Sequence, residues 1–166
     1  VCFIDNHFFI NLAGCGFEAD VAHAFNKMDN RGLWGYLRTV VKLYGATNNQ
    51  HLVINVDGNE LKLDAFSFSL ANGSQWGNNF TIAGNAILQD GKVQIAVMKK
   101  PKLYQVPGLL FSIFNNKQVD SKVLSYYSGS KIEFISVPDR WHLDGEPLSH
   151  KPNTLTIDSK KLKIIA

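Results

Sequence analysis

Apolar and polar positions change rhythm several times along this chain. Residues 7–12 are almost continuously apolar and are followed by Gly14 and Gly16, which predicts a buried strand running into a glycine turn. Phe17, Val21, Ala24, Phe25 and Met28 then recur at spacings of three and four, the signature of one helix face, until Asn30, Arg31 and Gly32 break it. Leu33, Leu37, Val40, Val41 and Tyr44 repeat the pattern, with Gly45 as a stop. From His51 the period becomes two: Leu52, Ile54 and Val56 alternate with Val53 and Asn55, and Asp57-Gly58-Asn59 returns the chain into Leu61 and Leu63 as a hairpin. Further strands are predicted at 65–71, 79–83, 93–98, 131–137, 154–157 and 162–165, with one short helix over 106–115. So many short strands and only three helices, two of them early, predict an α+β, strand-dominated chain. The expected architecture is a mixed β-sandwich with a few short helices rather than alternating βαβ units.

With 166 residues, 45% hydrophobic and 19% charged, the chain can bury one sizeable core, so residues 1–166 read as a single domain. It opens on Val1, Cys2, Phe3 and Ile4 without an initiating Met, so the expectation is a piece of a longer protein. No apolar stretch approaches the ~20 residues of a membrane-spanning helix, and the opening run lacks a basic leader and cleavage signal, which points to a cytoplasmic protein. Two cysteines, Cys2 and Cys15, make neither a disulfide framework nor a zinc site, and read as reduced core thiols. A net charge of +3 is too mild to argue for nucleic acid. Lys99, Lys100, Lys102 and then Lys160, Lys161, Lys163 form two basic clusters. Each lysine would contribute about 1 kcal/mol at an anionic leaflet, against the plainer reading of solvated charges flanking strands.

Three segments carry residues suited to chemistry. Asn11 to Val21 reads N-L-A-G-C-G-F-E-A-D-V, placing Asn11, Gly14, Glu18 and Asp20 around a helix start, where free amides and the helix dipole favour acidic groups. The same residues would serve equally as a tight turn that starts a helix. They are not a dinucleotide fingerprint, because the third glycine of G-x-G-x-x-G would fall on Ala19. Thr81 to Gln94 reads T-I-A-G-N-A-I-L-Q-D-G-K-V-Q, where Asp90 beside turned carbonyls could hold a hard cation, or simply make a turn. Arg140 to Leu148 reads R-W-H-L-D-G-E-P-L, where Glu146 could be presented at a cleft as a general base while Asp144 orients a neighbour, or where a charged hairpin could simply turn. His142 reads as structural, with no serine or cysteine placed to form a triad with it.

In this order and spacing, F-I-N-L-A-G-C-G-F-E-A-D-V, the Gly-x-x-x-Tyr element at Gly32 to Tyr36, N-G-S-Q-W-G-N-N-F-T-I-A followed by Q-D-G-K-V, and L-D-G-E-P-L resemble the C-terminal domain of the diacylglycerol kinase, sphingosine kinase and bacterial YegS-like lipid kinase superfamily. The match covers nearly the whole chain. The resemblance implies the second domain of the NAD kinase/diacylglycerol kinase-like fold. A first domain, with its G-G-D-G-T loop for ATP, is absent from this sequence and would be its partner, so this piece alone is expected to be inactive.

By the same resemblance, Glu146 matches the catalytic base that takes the proton of the lipid hydroxyl, with Asp144 beside it. Asp90 would hold a structural Mg2+ together with the carbonyls of Ile87 and Lys92. Asn11, Gly14, Glu18 and Asp20 would lie on the substrate side. Gly84 stands where the family usually has proline, and Gln89 where it often has a second acid. Diacylglycerol is the implied substrate, with a sphingoid base as the alternative because Glu18 and Asp20 would favour an ammonium. A non-catalytic lipid-binding module is a further alternative, and a NAD-kinase-like enzyme ranks below these. Peripheral membrane contact is expected, and an apolar surface left bare would favour homodimers. Phe66, Phe68, Trp76, Leu109, Leu110, Phe111 and Phe114 suffice to line a lipid groove, and equally to fill a core.

Overall fold

The computed structural model describes residues 1–27, 33–72, 75–77, 80–81, 91–114 and 122–158. The chain runs β1 (Cys2–Ile4), β2 (His7–Phe9), β3 (Leu12–Gly16), α1 (Phe17–Asn26), α2 (Leu33–Ala46), β4 (Gln50–Val56), β5 (Asn59–Ala65), β6 (Ser67–Ala71), β7 (Gln75–Gly77), β8 (Phe80–Thr81) and β9 (Val93–Met98). A 3-10 turn at Leu103–Gln105 leads into α3 (Val106–Phe114), then β10 (Leu124–Gly129), β11 (Ile132–Ser136), β12 (Trp141–Leu143), β13 (Glu146–Leu148) and β14 (Thr154–Ile157). The predicted strand at 162–165 and the cluster Lys160, Lys161, Lys163 lie outside the described residues.

Two six-stranded sheets carry the architecture, ordered β2-β1-β14-β11-β4-β5 and β10-β9-β6-β3-β12-β13, with β7 and β8 paired apart. Every described ladder is antiparallel. The sheets close on a shared core because alternate residues of each strand point inward. On β4 those residues are Leu52, Ile54 and Val56, as the period of two predicts, and they meet Phe68, Leu70, Ile95 and Val97 from the second sheet. Trp141 is fully buried at the centre, edge-on to Phe68 of its own sheet at 5.8 Å and to Phe134 of the opposite sheet at 5.1 Å. Cys2 and Cys15 are both free and buried there, and burial pushes the Cys2 thiol up to about 11.

The second sheet is covered on its other face as well. Leu12, Ala71, Ala96, Met98, Val123 and Leu124 form a second buried cluster against which Leu109 of α3 packs. That double coverage leaves all five residues of β3 and all five of β6 buried. It also differs from the simple expectation at Gly14, which lies inside strand β3, whereas Gly16 ends the strand and, with φ of 79°, turns the chain into α1 as expected. Gly14 stays in the strand because its missing side chain leaves room for another group. A Cβ there would meet Glu18 Oε1 at 1.5 Å and the Phe68 carbonyl oxygen at 2.3 Å.

Candidate functional site

Three hairpins turn on the same device. Asp5, Asp57 and Asp144 each adopt left-handed backbone, with φ of 52°, 49° and 48°, and are followed by Asn6, Gly58 and Gly145. Asp57-Gly58 and Asp144-Gly145 are of the Asp-Gly type that two-residue hairpin turns favour. In each case the carboxylate reaches out of its hairpin to grip backbone amides elsewhere in the chain. Asp5 accepts from the N–H of Asn153 at 3.1 Å and of Thr154 at 3.0 Å, and Asp57 from Ser130 at 2.9 Å and Lys131 at 2.8 Å. Asp144 accepts from three consecutive amides, Ile10 at 2.7 Å, Asn11 at 3.0 Å and Leu12 at 2.8 Å. Its own N–H donates to the Leu12 carbonyl at 2.7 Å. Both oxygens of Asp144 are therefore committed to holding the β12–β13 turn against the entry of β3.

Glu146 starts β13 on the far side of that turn, opposite Leu143 in register, and its side chain is exposed. It forms one wall of an open cleft of about 450 Å³ together with Asn6, His7, Phe8, Asp144 and Pro147. Asn26, at the last turn of α1, donates to the Gly145 carbonyl at 2.9 Å and approaches Glu146 Oε2 at 3.5 Å.

The remaining residues singled out on the sequence are placed as follows. Asn11 lies at the bend between β2 and β3, beside the Asp144 carboxylate. Asp20 has both oxygens engaged, Oδ1 with Arg140 Nη1 at 3.0 Å and Oδ2 with the Thr47 hydroxyl at 2.7 Å, tying α1 to the end of α2 and to the segment before β12. Glu18 points inward from the first turn of α1 with its side chain only 8% exposed; burial pushes its carboxyl up, while His142, Ser69 and Ser67 pull the other way. The structure thus gathers Asn11, Gly14, Glu18, Asp144 and Glu146 around one end of the second sheet, Asp20 being turned toward Arg140 and Thr47.

Lys92 is exposed beside β9, while Ile87 and Asp90, with Gly84 and Gln89, lie outside the described residues, as does Gly32 of the Gly-x-x-x-Tyr element. Among the described residues, no three His, Cys, Asp or Glu side chains converge as metal ligands. Of the residues offered for a lipid groove, Phe66 and Phe68 are core, Leu109 packs on the second cluster and Phe111 is 57% exposed. The side chains of Trp76, Leu110 and Phe114 lie outside what is described.

Sequence reasoning passed over Ser69 and Asn26 and read His142 only as structural. The available signal was a glycine at the centre of an apolar strand with an acid four residues later, in the first turn of the helix that follows the strand.

A model of the YegS C-terminal NAD kinase beta sandwich-like domain matches residues 11–166. The chain belongs to that family. Within the YegS C-terminal family it is similar to a "Probable lipid kinase YegS-like" protein of Yersinia enterocolitica serotype O:8 / biotype 1B, 28% identical over 154 residues, which cover 89% of this chain and 49% of that protein. Two crystal structures from Bacillus anthracis strain Sterne, both named for diacylglycerol kinases, share the fold. The first has a TM-score of 0.58 at 18% identity and covers 89% of this chain and 50% of that one. The second has a TM-score of 0.51 at 13% identity, over 93% and 48%. The YegS C-terminal domain described here thus spans about half the length of the relatives it matches. No helix among its described residues is long and apolar enough to cross a membrane.

Proposed function

We propose that this chain is the substrate-side domain of a lipid kinase that transfers the γ-phosphate of ATP to the hydroxyl of diacylglycerol or a related lipid. The observation that carries the reading is an exposed Glu146, on a turn pinned by Asp144 and Asn26, within a chain of the YegS C-terminal family. In the reaction, Glu146 takes the proton of the lipid hydroxyl as its oxygen forms a bond to the γ-phosphorus. The bond from that phosphorus to the β–γ bridging oxygen breaks, and ADP leaves with the electron pair.

Phosphoryl transfer depends mostly on positioning and charge neutralisation, so the service this domain offers is a carboxylate held in place. ATP would be bound mainly by a nucleotide domain outside this chain. Mg2+ would neutralise phosphate charge, and the donors the resemblance assigns to a second, structural ion, Asp90 with the carbonyls of Ile87 and Lys92, centre on residues outside those described. The open cleft beside Glu146, walled by His7, Phe8 and Pro147, gives a lipid alcohol an approach from a membrane surface to which the protein binds peripherally.

The test is ATP-dependent phosphate transfer to diacylglycerol vesicles by the full-length protein. Glu146→Gln is expected to lower kcat by roughly 10²–10⁴-fold with the fold retained, the range a positioned general base supplies. Transfer to sphingosine alone would move the substrate to a sphingoid base. Vesicle binding without transfer to any lipid alcohol would overturn the kinase reading in favour of a lipid-binding module.

A further inference from the structure

Four side-chain atoms are buried without a hydrogen-bond partner among the described residues: Glu18 Oε1, Ser67 Oγ, Gln94 Oε1 and His142 Nε2. Two of them face each other. His142 Nε2 lies 3.4 Å from Glu18 Oε1, at the long limit of a useful contact, and both side chains are more than nine-tenths buried. A buried charge or a buried imidazole without good partners costs stability, so this pairing calls for an explanation beyond packing.

Register supplies one. Gly14 of β3 sits opposite Ser69 of β6 on one side and opposite His142 of β12 on the other, so the three form a row across the sheet with no side chain at its centre. The Glu18 carboxyl fills that gap from α1. Its Oε2 accepts from the Ser69 hydroxyl at 2.6 Å, and its Oε1 is turned to the histidine. The other ring nitrogen, His142 Nδ1, accepts from the Gly145 N–H at 3.2 Å. A nitrogen that accepts carries no proton, so the neutral ring has its proton on Nε2, directed at Glu18. Gly145 has φ of 91° and immediately precedes Glu146. Both polar atoms of Gly145 are thus held by way of one helix: the N–H through His142 and Glu18, and the carbonyl directly by Asn26 at 2.9 Å.

We propose that Glu18 and His142 are a positioning pair for Glu146. The buried carboxyl selects the imidazole tautomer, the imidazole accepts from the Gly145 amide, and the amide fixes the turn from which Glu146 projects. Neither residue touches substrate in this scheme. The proposal rests on the assignment of Glu146 as base, but it makes claims about the turn that hold whatever the protein phosphorylates.

Two substitutions separate positioning from bulk. In His142→Asn the side-chain oxygen can stand near the position of Nδ1 and still accept from Gly145, while contact with Glu18 is lost. In His142→Gln the amide reaches toward Glu18, and the acceptor beside Gly145 is lost. In the full-length protein, His142→Asn is expected to keep kcat for the lipid within about threefold of wild type. His142→Gln should lower it about 10–100-fold with KM little changed, the scale of a misplacement of about 1 Å.

Hydrogen exchange at the amides of residues 144–146 should speed up in His142→Gln and not in His142→Asn. Nitrogen NMR of the wild-type imidazole should show protonation at Nε2 alone. Equal loss of kcat in both variants, tracking a fall in Tm, would reduce the pair to a structural role and overturn the proposal, as would an Nδ1-protonated ring. If wild type phosphorylates no lipid alcohol, the kinase reading fails. The exchange and tautomer measurements then still decide whether the pair holds the turn.

Discussion

The carboxylate of Glu18 occupies the space that a side chain on Gly14 would fill, a Cβ there lying 1.5 Å from Glu18 Oε1. The same Cβ would lie 2.3 Å from the backbone oxygen of Phe68, in the paired strand. The first clash can be relieved by moving or removing a side chain. The second can be relieved only by opening the ladder between β3 and β6, whose residues are all buried. Gly14→Ala is therefore expected to cost about 3 kcal/mol or more in denaturant unfolding. Adding Glu18→Ala should recover only part of it. Full recovery in the double variant would show that the side chain alone sets the constraint.

Asp144 makes a separate prediction about a residue that the D-G-E motif alone would rank with the base. Its carboxylate accepts from three consecutive amides, and such charge-assisted bonds are worth more than neutral ones. Because two of the three are exposed, Asp144→Ala should cost about 2–3 kcal/mol in total, with faster hydrogen exchange at residues 10–12. Asp144→Asn keeps one acceptor oxygen and the tolerance for left-handed backbone, so it should lose about half as much. A stability unchanged in both variants would mean the clamp is formed only nominally.

Much of the fold was legible because it follows from local rhythm. Leu52, Ile54 and Val56 announce β4, Asp57-Gly58 announces the turn, and the spacing from Phe17 onward announces α1. Two things were not legible, for one physical reason: both depend on contacts between distant segments. The β1–β2 hairpin turns on Asp5-Asn6 in the midst of an apolar opening, and it is held by Asn153 and Thr154 almost 150 residues away. The position of Gly14 inside a strand follows from Phe68 of the paired strand arriving beside it, more than fifty residues on, together with the nearby Glu18. The candidate site divides the same way. The D-G-E motif marks Glu146, but only the register of Gly14 between Ser69 and His142 shows that the turn is tied to α1.

The carboxylates of this fold are shifted in opposite directions, which gives stability a testable pH profile. Burial alone would raise Asp5, but the amides of Thr154 and Asn153 and the His150 side chain outweigh it and leave the carboxyl below its usual 3.8. The amides of Ser130 and Lys131 lower Asp57 likewise from 3.8. A depressed carboxyl stabilises the fold above its unfolded value, so both contributions are present above 3.8 and disappear as pH falls through the lower folded values. Glu18 runs the other way. Burial raises it above 4.5, so its contribution is fully present below 4.5 and is lost as pH rises through the higher folded value, where a buried carboxylate must ionise. Thermal unfolding from pH 2 to 7 should therefore show Asp57→Asn flattening only the acid limb. Glu18→Gln should gain in Tm relative to wild type as pH rises past 4.5. A Glu18→Gln profile parallel to wild type across that range would mean that Glu18 titrates in the fold as it does in the unfolded chain, and that burial is not what governs it.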